Sequence, residues 1–163
     1  MTIFNLYIFT KRGSCIYYTE WYRPVNTLQD TPEEDQKLMF GLLFSLKQLM
    51  NKMNPNQSSI ESTSTTNPAM QLPSFGPDQG FYRYATDSYI LYHLETPTGY
   101  KFVLTSDAAA GDMKTALWTI YSDLFTNFAL KNPLYIPGTP ITNVGFIAAI
   151  DSYIRSLPAF NAR

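Results

Sequence analysis

The sequence predicts an α/β domain whose five-stranded antiparallel sheet lies between one helix and two helices, in the order β-β-α-β-β-β-α-α. Three observations predict it. Residues 3–9 read as a strand that is apolar on both faces, which places it near the middle of a sheet rather than at a wet edge. Residues 31–53 carry a helix start followed by apolar residues at helical spacing. Residues 81–105 alternate as strands broken by short turns, and two further helical stretches follow. A chain of 163 residues is long enough for one core, burying roughly 70% of its unfolded surface. The expectation is a single domain over residues 1–163 with a flexible insertion at about 55–79.

In the first strand Ile3, Asn5, Tyr7 and Phe9 share one face, and Phe4, Leu6 and Ile8 share the other. Gly13 supplies the positive φ of a hairpin turn, after which residues 15–22 alternate in the mixed way suited to an edge strand, ended by Arg23 and Pro24. Thr31, Pro32 and Glu34 fit the cap, first position and capping-box acid of a helix. Its core stripe is expected along Leu38, Leu42, Leu46, Leu49 and Met53, widened by Met39, Leu43 and Met50. Phe40 and Phe44 then fall on the other side among Lys37, Lys47 and Asn51, where a wet helix should be polar. They are expected to form a partner-binding patch with Lys47.

Residues 54–80 are rich in Ser, Thr, Asn, Pro and Gln and read as an insertion, because loops of that length are uncommon inside compact domains. Strand patterns resume at residues 81–85, 89–95 and 100–105, with Pro97 and Gly99 at turn positions. Gly111 and Asp112 open a second helix to about Lys131, with Met113, Leu117, Ile120, Tyr121, Leu124 and Phe128 at core spacing. Trp118 and Phe125 share another stripe, read as packing on the last helix or as further partner contacts. Asn132 and Pro133 end that helix, and a Pro/Gly loop leads to a third, about residues 142–156, with Val144, Ile147, Ile154 and Leu157 inward.

Chemistry is sparse. His93, the sole histidine, stands inside a strand with no Cys or carboxylate cluster at metal-ligand spacing, and Cys15 sits in a strand without a basic neighbour to activate it. No phosphate-loop pattern occurs, and the aspartates are dispersed over helix starts and exposed faces. The expectation is a protein that is not an enzyme and has no cofactor, metal or catalytic residue. A net charge of −1 leaves no field to attract nucleic acid or anionic lipid. A lone cysteine excludes an intramolecular disulfide and fits a cytoplasmic setting, and the N-terminal apolar run is too short to span a bilayer. Aromatic residues, at 15%, equal the charged fraction, a bias shared by cores and interfaces.

Six runs carry a resemblance: Asn5-Leu-Tyr-Ile-Phe9, Tyr18-Thr-Glu-Trp21, Lys37-Leu-Met-Phe-Gly-Leu-Leu-Phe-Ser45, Glu95-Thr-Pro-Thr-Gly99, Lys131-Asn-Pro-Leu134 and Asp151-Ser-Tyr-Ile-Arg-Ser-Leu-Pro158. In their order and spacing the chain resembles the longin-domain small subunits of the TRAPP vesicle-tethering complex, departing at residues 55–77, where that family has a much shorter connection. The resemblance implies a longin-like (profilin-like) fold and a non-catalytic subunit acting in endoplasmic reticulum to Golgi transport. It also implies partners: a second longin-type subunit, a Bet3-like subunit, and a Rab-type GTPase on which the assembled core exchanges nucleotide. The chain would then be peripheral at endoplasmic reticulum and Golgi membranes, inserting into none. The alternative is a longin-type adaptor or SNARE-regulatory module; a SNARE would need a long heptad helix after the domain, and the chain stops at Arg163.

Overall fold

The computed structural model describes residues 2–22, 31–53, 81–158 and 160; the expected insertion at 55–79 lies outside them. The chain divides into two compact units, residues 1–26 with 76–163, and residues 27–75. In the first unit β1 (Ile3–Phe9), β2 (Cys15–Glu20), β3 (Phe81–Ala85), β4 (Ile90–Glu95) and β5 (Lys101–Ser106) form one antiparallel sheet in the order β2-β1-β5-β4-β3. This is the α/β sheet the sequence predicts. β1 lies inside it, and β2 is an edge.

Both faces of the central strands are buried. Leu6, Ile8, Phe102, Leu104, Tyr92 and Leu94 fall on one face, and Asn5, Tyr7, Val103, Leu91 and His93 on the other. Asn5 is tolerated there because its side chain is satisfied: the Thr105 hydroxyl donates to Asn5 Oδ1, and Asn5 Nδ2 donates to the Tyr7 hydroxyl at 3.3 Å. His93 stacks on Tyr82 with ring centroids 5.6 Å apart. Two of the connecting turns require glycine. Gly13 has φ +92°, and at Gly99 (φ +88°) a Cβ would stand 2.9 Å from the Lys11 side chain. The Gly99 turn is closed by Gly99 N–H to Thr96 O, 2.9 Å, and by Thr96 Oγ1 accepting from Tyr100 N, 3.0 Å.

The first sheet face is covered by α2 (Lys114–Thr119), which continues as a π-helical segment, Ile120–Leu130, and by α3 (Val144–Ser156). Bonding five residues apart is visible in Lys131 N–H to Thr126 O, 2.9 Å, while the Thr126 hydroxyl itself donates to Tyr121 O, 3.0 Å. The wider turn moves the buried line to Leu117, Ile120, Phe125 and Ala129, and corrects the expected stripe: Leu124 is half-buried and Phe128 is exposed. Phe125 decides the register. Its ring meets Tyr100 at 5.0 Å, Phe102 at 5.2 Å and Phe146 at 6.4 Å, all edge-on. Each such pair is worth about 0.5–1.5 kcal/mol beyond area burial.

In α3 the buried line is Phe146, Ile150 and Ile154, whereas Val144 and Ile147, expected inward, are exposed. The cause is Phe146, the largest fully buried side chain of the helix, which enters between Tyr17 (5.1 Å) and Phe125 and carries residues four and eight further along with it. The helix stops where the sequence places the stop. Leu157, preceding Pro158, is extended, with φ −70° and ψ 137°.

The described part of the second unit is α1 (Pro32–Met53), begun at the expected proline, with Glu33, Glu34 and Asp35 in its first turn and Lys52 in its last. Leu43 is its buried apolar residue, and Met39, Phe40, Leu46 and Lys47 are half-buried. Leu38 (64% exposed), Leu42, Leu49, Met50 and Met53 (72%) are exposed, so the stripe expected to be buried is the more open one. A helix apolar on several sides has no unique inward stripe written in its period.

Candidate partner-binding surfaces

The five residues expected to meet a partner have separate fates. Phe44 is 59% exposed, while Phe40 and Lys47 are half-buried on the same helix. Trp118 is half-buried, edge-on to Tyr121 of its own helix at 5.7 Å. Phe125 is corrected: at 0% exposure inside the aromatic cluster it is core, with no surface left to offer a partner.

A second apolar surface, which the sequence reading missed, follows from the end of the π-helical segment. The chain leaves it through Asn132, whose N–H reaches Ala129 O at 3.1 Å and whose Oδ1 accepts from Leu134 N at 3.0 Å. This tight exit throws Leu134 outward to 88% exposure. The next turn is held by Tyr135 OH donating to Thr139 O at 3.1 Å and by Thr139 Oγ1 donating to Ile136 O at 2.7 Å, leaving Ile136 69% exposed. Gly138 takes φ +91° inside that turn. The chain then anchors on β2, where Ile141 N–H bonds Ile16 O at 2.8 Å.

Asn143 closes the surface. Its Oδ1 caps α3 by accepting from Gly145 N at 2.9 Å, and its Nδ2 donates to Phe128 O at 3.2 Å, tying two helix ends together. Between them lies an open groove of about 370 Å³, lined by Phe128, Leu134, Tyr135, Ile136, Pro140 and Ile141 with Asn and Thr side chains between. Val144, 77% exposed, follows the capping Asn143. Burial pushes the Tyr135 phenol above its ordinary value, so it stays neutral. The available signal was Leu134, Tyr135 and Ile136 together in a loop, where apolar residues have no periodic reason to stand.

The quoted runs also meet each other. Trp21 Nε1 donates to Asp151 Oδ1 at 2.8 Å, and Arg155 Nε donates to Asp151 Oδ2 at 2.7 Å, joining the end of β2 to α3. These bonds hold the Asp151 carboxyl below the usual range, Arg155 contributing most. The Arg155 guanidinium also lies 5.6 Å over the Phe160 ring. Cys15 is half-buried, its thiol donating to Tyr17 O at 3.2 Å, and desolvation raises its pKa to about 11. A neutral thiol dominates at pH 7, which suits packing rather than nucleophilic attack. Among the described residues no helix is long and apolar enough to cross a membrane, and no three His, Cys, Asp or Glu side chains group to hold a metal.

Known proteins match along the whole chain. A rat protein, trafficking protein particle complex subunit 1, is 37% identical over 163 residues, covering 100% of this chain and 99% of its own length. The Dictyostelium discoideum subunit 1 is 33% identical over 160 residues, covering 98% and 99%. The Schizosaccharomyces pombe transport protein particle subunit bet5 is 27% identical over 176 residues, covering 98% and 100%. The model of the Sybindin-like family matches residues 3–157, and the chain belongs to that family.

Proposed function

We propose that the chain is a non-catalytic subunit of a trafficking protein particle tether, contributing surface rather than chemistry to vesicle transport between endoplasmic reticulum and Golgi. The end-to-end similarity to subunit 1 proteins carries this reading. In it the chain pairs with a second longin-type subunit, contacts a Bet3-like subunit, and helps the assembled core open the nucleotide site of a Rab-type GTPase, which itself holds guanine nucleotide and magnesium. It works in the cytoplasm, peripheral to those membranes.

Exposed apolar residues on α1 support the reading, because a helix that shows Leu38, Phe44 and Met53 to water gains from being covered. Phe44, with Phe40 and Lys47 nearby on the helix, is the contact to test; Trp118 is a secondary one. Tagged full-length chain isolated from cells should bring down other tether subunits. Phe44→Asp should keep the wild-type thermal transition and weaken that recovery by about tenfold, as loss of an apolar anchor does. Recovery of the wild-type chain alone would overturn the reading.

A further inference from the structure

We propose that Thr139 is a phosphorylation site for a proline-directed serine/threonine kinase. Threonine precedes proline at Thr31-Pro32, Thr96-Pro97 and Thr139-Pro140, and no serine in the chain precedes a proline. Proline carries no backbone N–H, so it suits a kinase whose pocket for the following residue holds no acceptor; any other residue would leave an N–H unpaired there. At Thr139 a second proline, Pro137, stands two residues earlier. Once released from its turn, such a segment favours the extended polyproline form in which a peptide lies along a cleft.

The three places differ in access. Thr96 is 3% exposed, and its hydroxyl oxygen accepts from Tyr100 N–H at 3.0 Å within the turn between β4 and β5. Thr31 is exposed, but its carbonyl holds the start of α1 by accepting from Glu34 N–H at 3.1 Å, and Glu33, Glu34 and Asp35 in that first turn would repel a phosphate. Thr139 lies in an exposed run, residues 137–140. Pro137 and Gly138 (φ +91°) are the central residues of a type II turn closed by Thr139 N–H to Ile136 O at 3.1 Å, and the Thr139 hydroxyl donates to the same oxygen at 2.7 Å. Opening this turn releases bonds made within residues 135–139, and the anchor on β2 begins only at Ile141.

In the transfer Thr139 Oγ1 attacks the γ-phosphorus of ATP. The new O–P bond forms as the bond from that phosphorus to the bridging oxygen breaks, ADP leaves with the electron pair, and the hydroxyl proton passes to the kinase's base. The esterified oxygen can no longer donate to Ile136 O. A phosphate of about −1.5 to −2 charge then stands in a lining otherwise made largely of Phe128, Leu134, Tyr135 and Ile136, turning an apolar surface anionic.

The test incubates the folded full-length chain with magnesium ATP and an activated mitogen-activated protein kinase, and maps phosphate by mass spectrometry. Phosphate should appear on Thr139 and not on Thr31 or Thr96. Thr139→Val should remove it. Pro140→Ala keeps the hydroxyl and should slow transfer to Thr139 by about tenfold or more, because the alanine N–H enters the pocket unpaired. If Thr139→Val melts early, the wild-type map and Pro140→Ala decide without it. No incorporation, or incorporation at Thr31 or Thr96 ahead of Thr139, overturns the site. An unchanged rate in Pro140→Ala overturns the proline-directed class of kinase.

Discussion

α3 and α1 are both rich in apolar residues, yet they spend them differently. α3 commits Phe146, Ile150 and Ile154 to one buried line and leaves Val144 and Ile147 outside. α1 buries Leu43 and shows five large aliphatic residues and Phe44. Apolar content therefore does not separate a structural helix from a contact helix. What separates them is whether one stripe finds large partners: Phe146 has Tyr17 and Phe125 across from it.

The sharpest way to break this contrast is to truncate one phenylalanine on each helix. Phe146→Ala should cost about 3–5 kcal/mol of unfolding free energy in a urea titration, because it empties a packed site. Phe44→Ala should change stability by no more than about 0.5 kcal/mol, as exposed substitutions do. Equal costs would mean that α1 is as structural as α3.

A smaller effect sharpens the boundary of α3. Asn143→Ala removes the cap on Gly145 N and the bond to Phe128 O, and should cost about 1 kcal/mol. Measured by hydrogen exchange, the loss should concentrate in the first turn of α3 and the end of the π-helical segment. Uniform loss across the sheet would show that the cap is not a local device.

The smallest expected effect is at Asp151. Its folded carboxyl lies below the ordinary value because Arg155 and Trp21 bond the ionised form. Its stabilisation is therefore complete above the ordinary carboxylate value of about 3.9 and is lost as pH falls through the lower folded value. Asp151→Asn should flatten the acid limb of stability against pH, slightly, since the side chain is 42% exposed. An unchanged acid limb would remove Asp151 from the link between β2 and α3.

Much of the fold was legible because its signals are local. The two-faced apolar pattern of residues 3–9 placed β1 inside the sheet, Gly13 and Gly99 marked turns that need positive φ, and Pro32 and Pro158 bracket helices where written. The candidate surfaces were less legible. Phe44, which lies off the expected stripe, is exposed, whereas Phe125, read as packing on the last helix or as a further partner contact, is buried against Phe146 of α3, and the Leu134–Ile136 groove has no periodic signal in the sequence.

By itself the sequence determined the order of strands and helices and placed their limits to within about three residues, since backbone sterics, caps and side-chain alternation act over a few residues. Only the tertiary structure decided which side of each helix goes inward. Stripes of nearly equal apolarity compete along α1, the segment from Lys114 to Leu130, and α3, and distant partners choose between them. Phe102 and Tyr17, brought by the sheet, select Phe125 and Phe146, and that choice turns Phe128 and Val144 toward water.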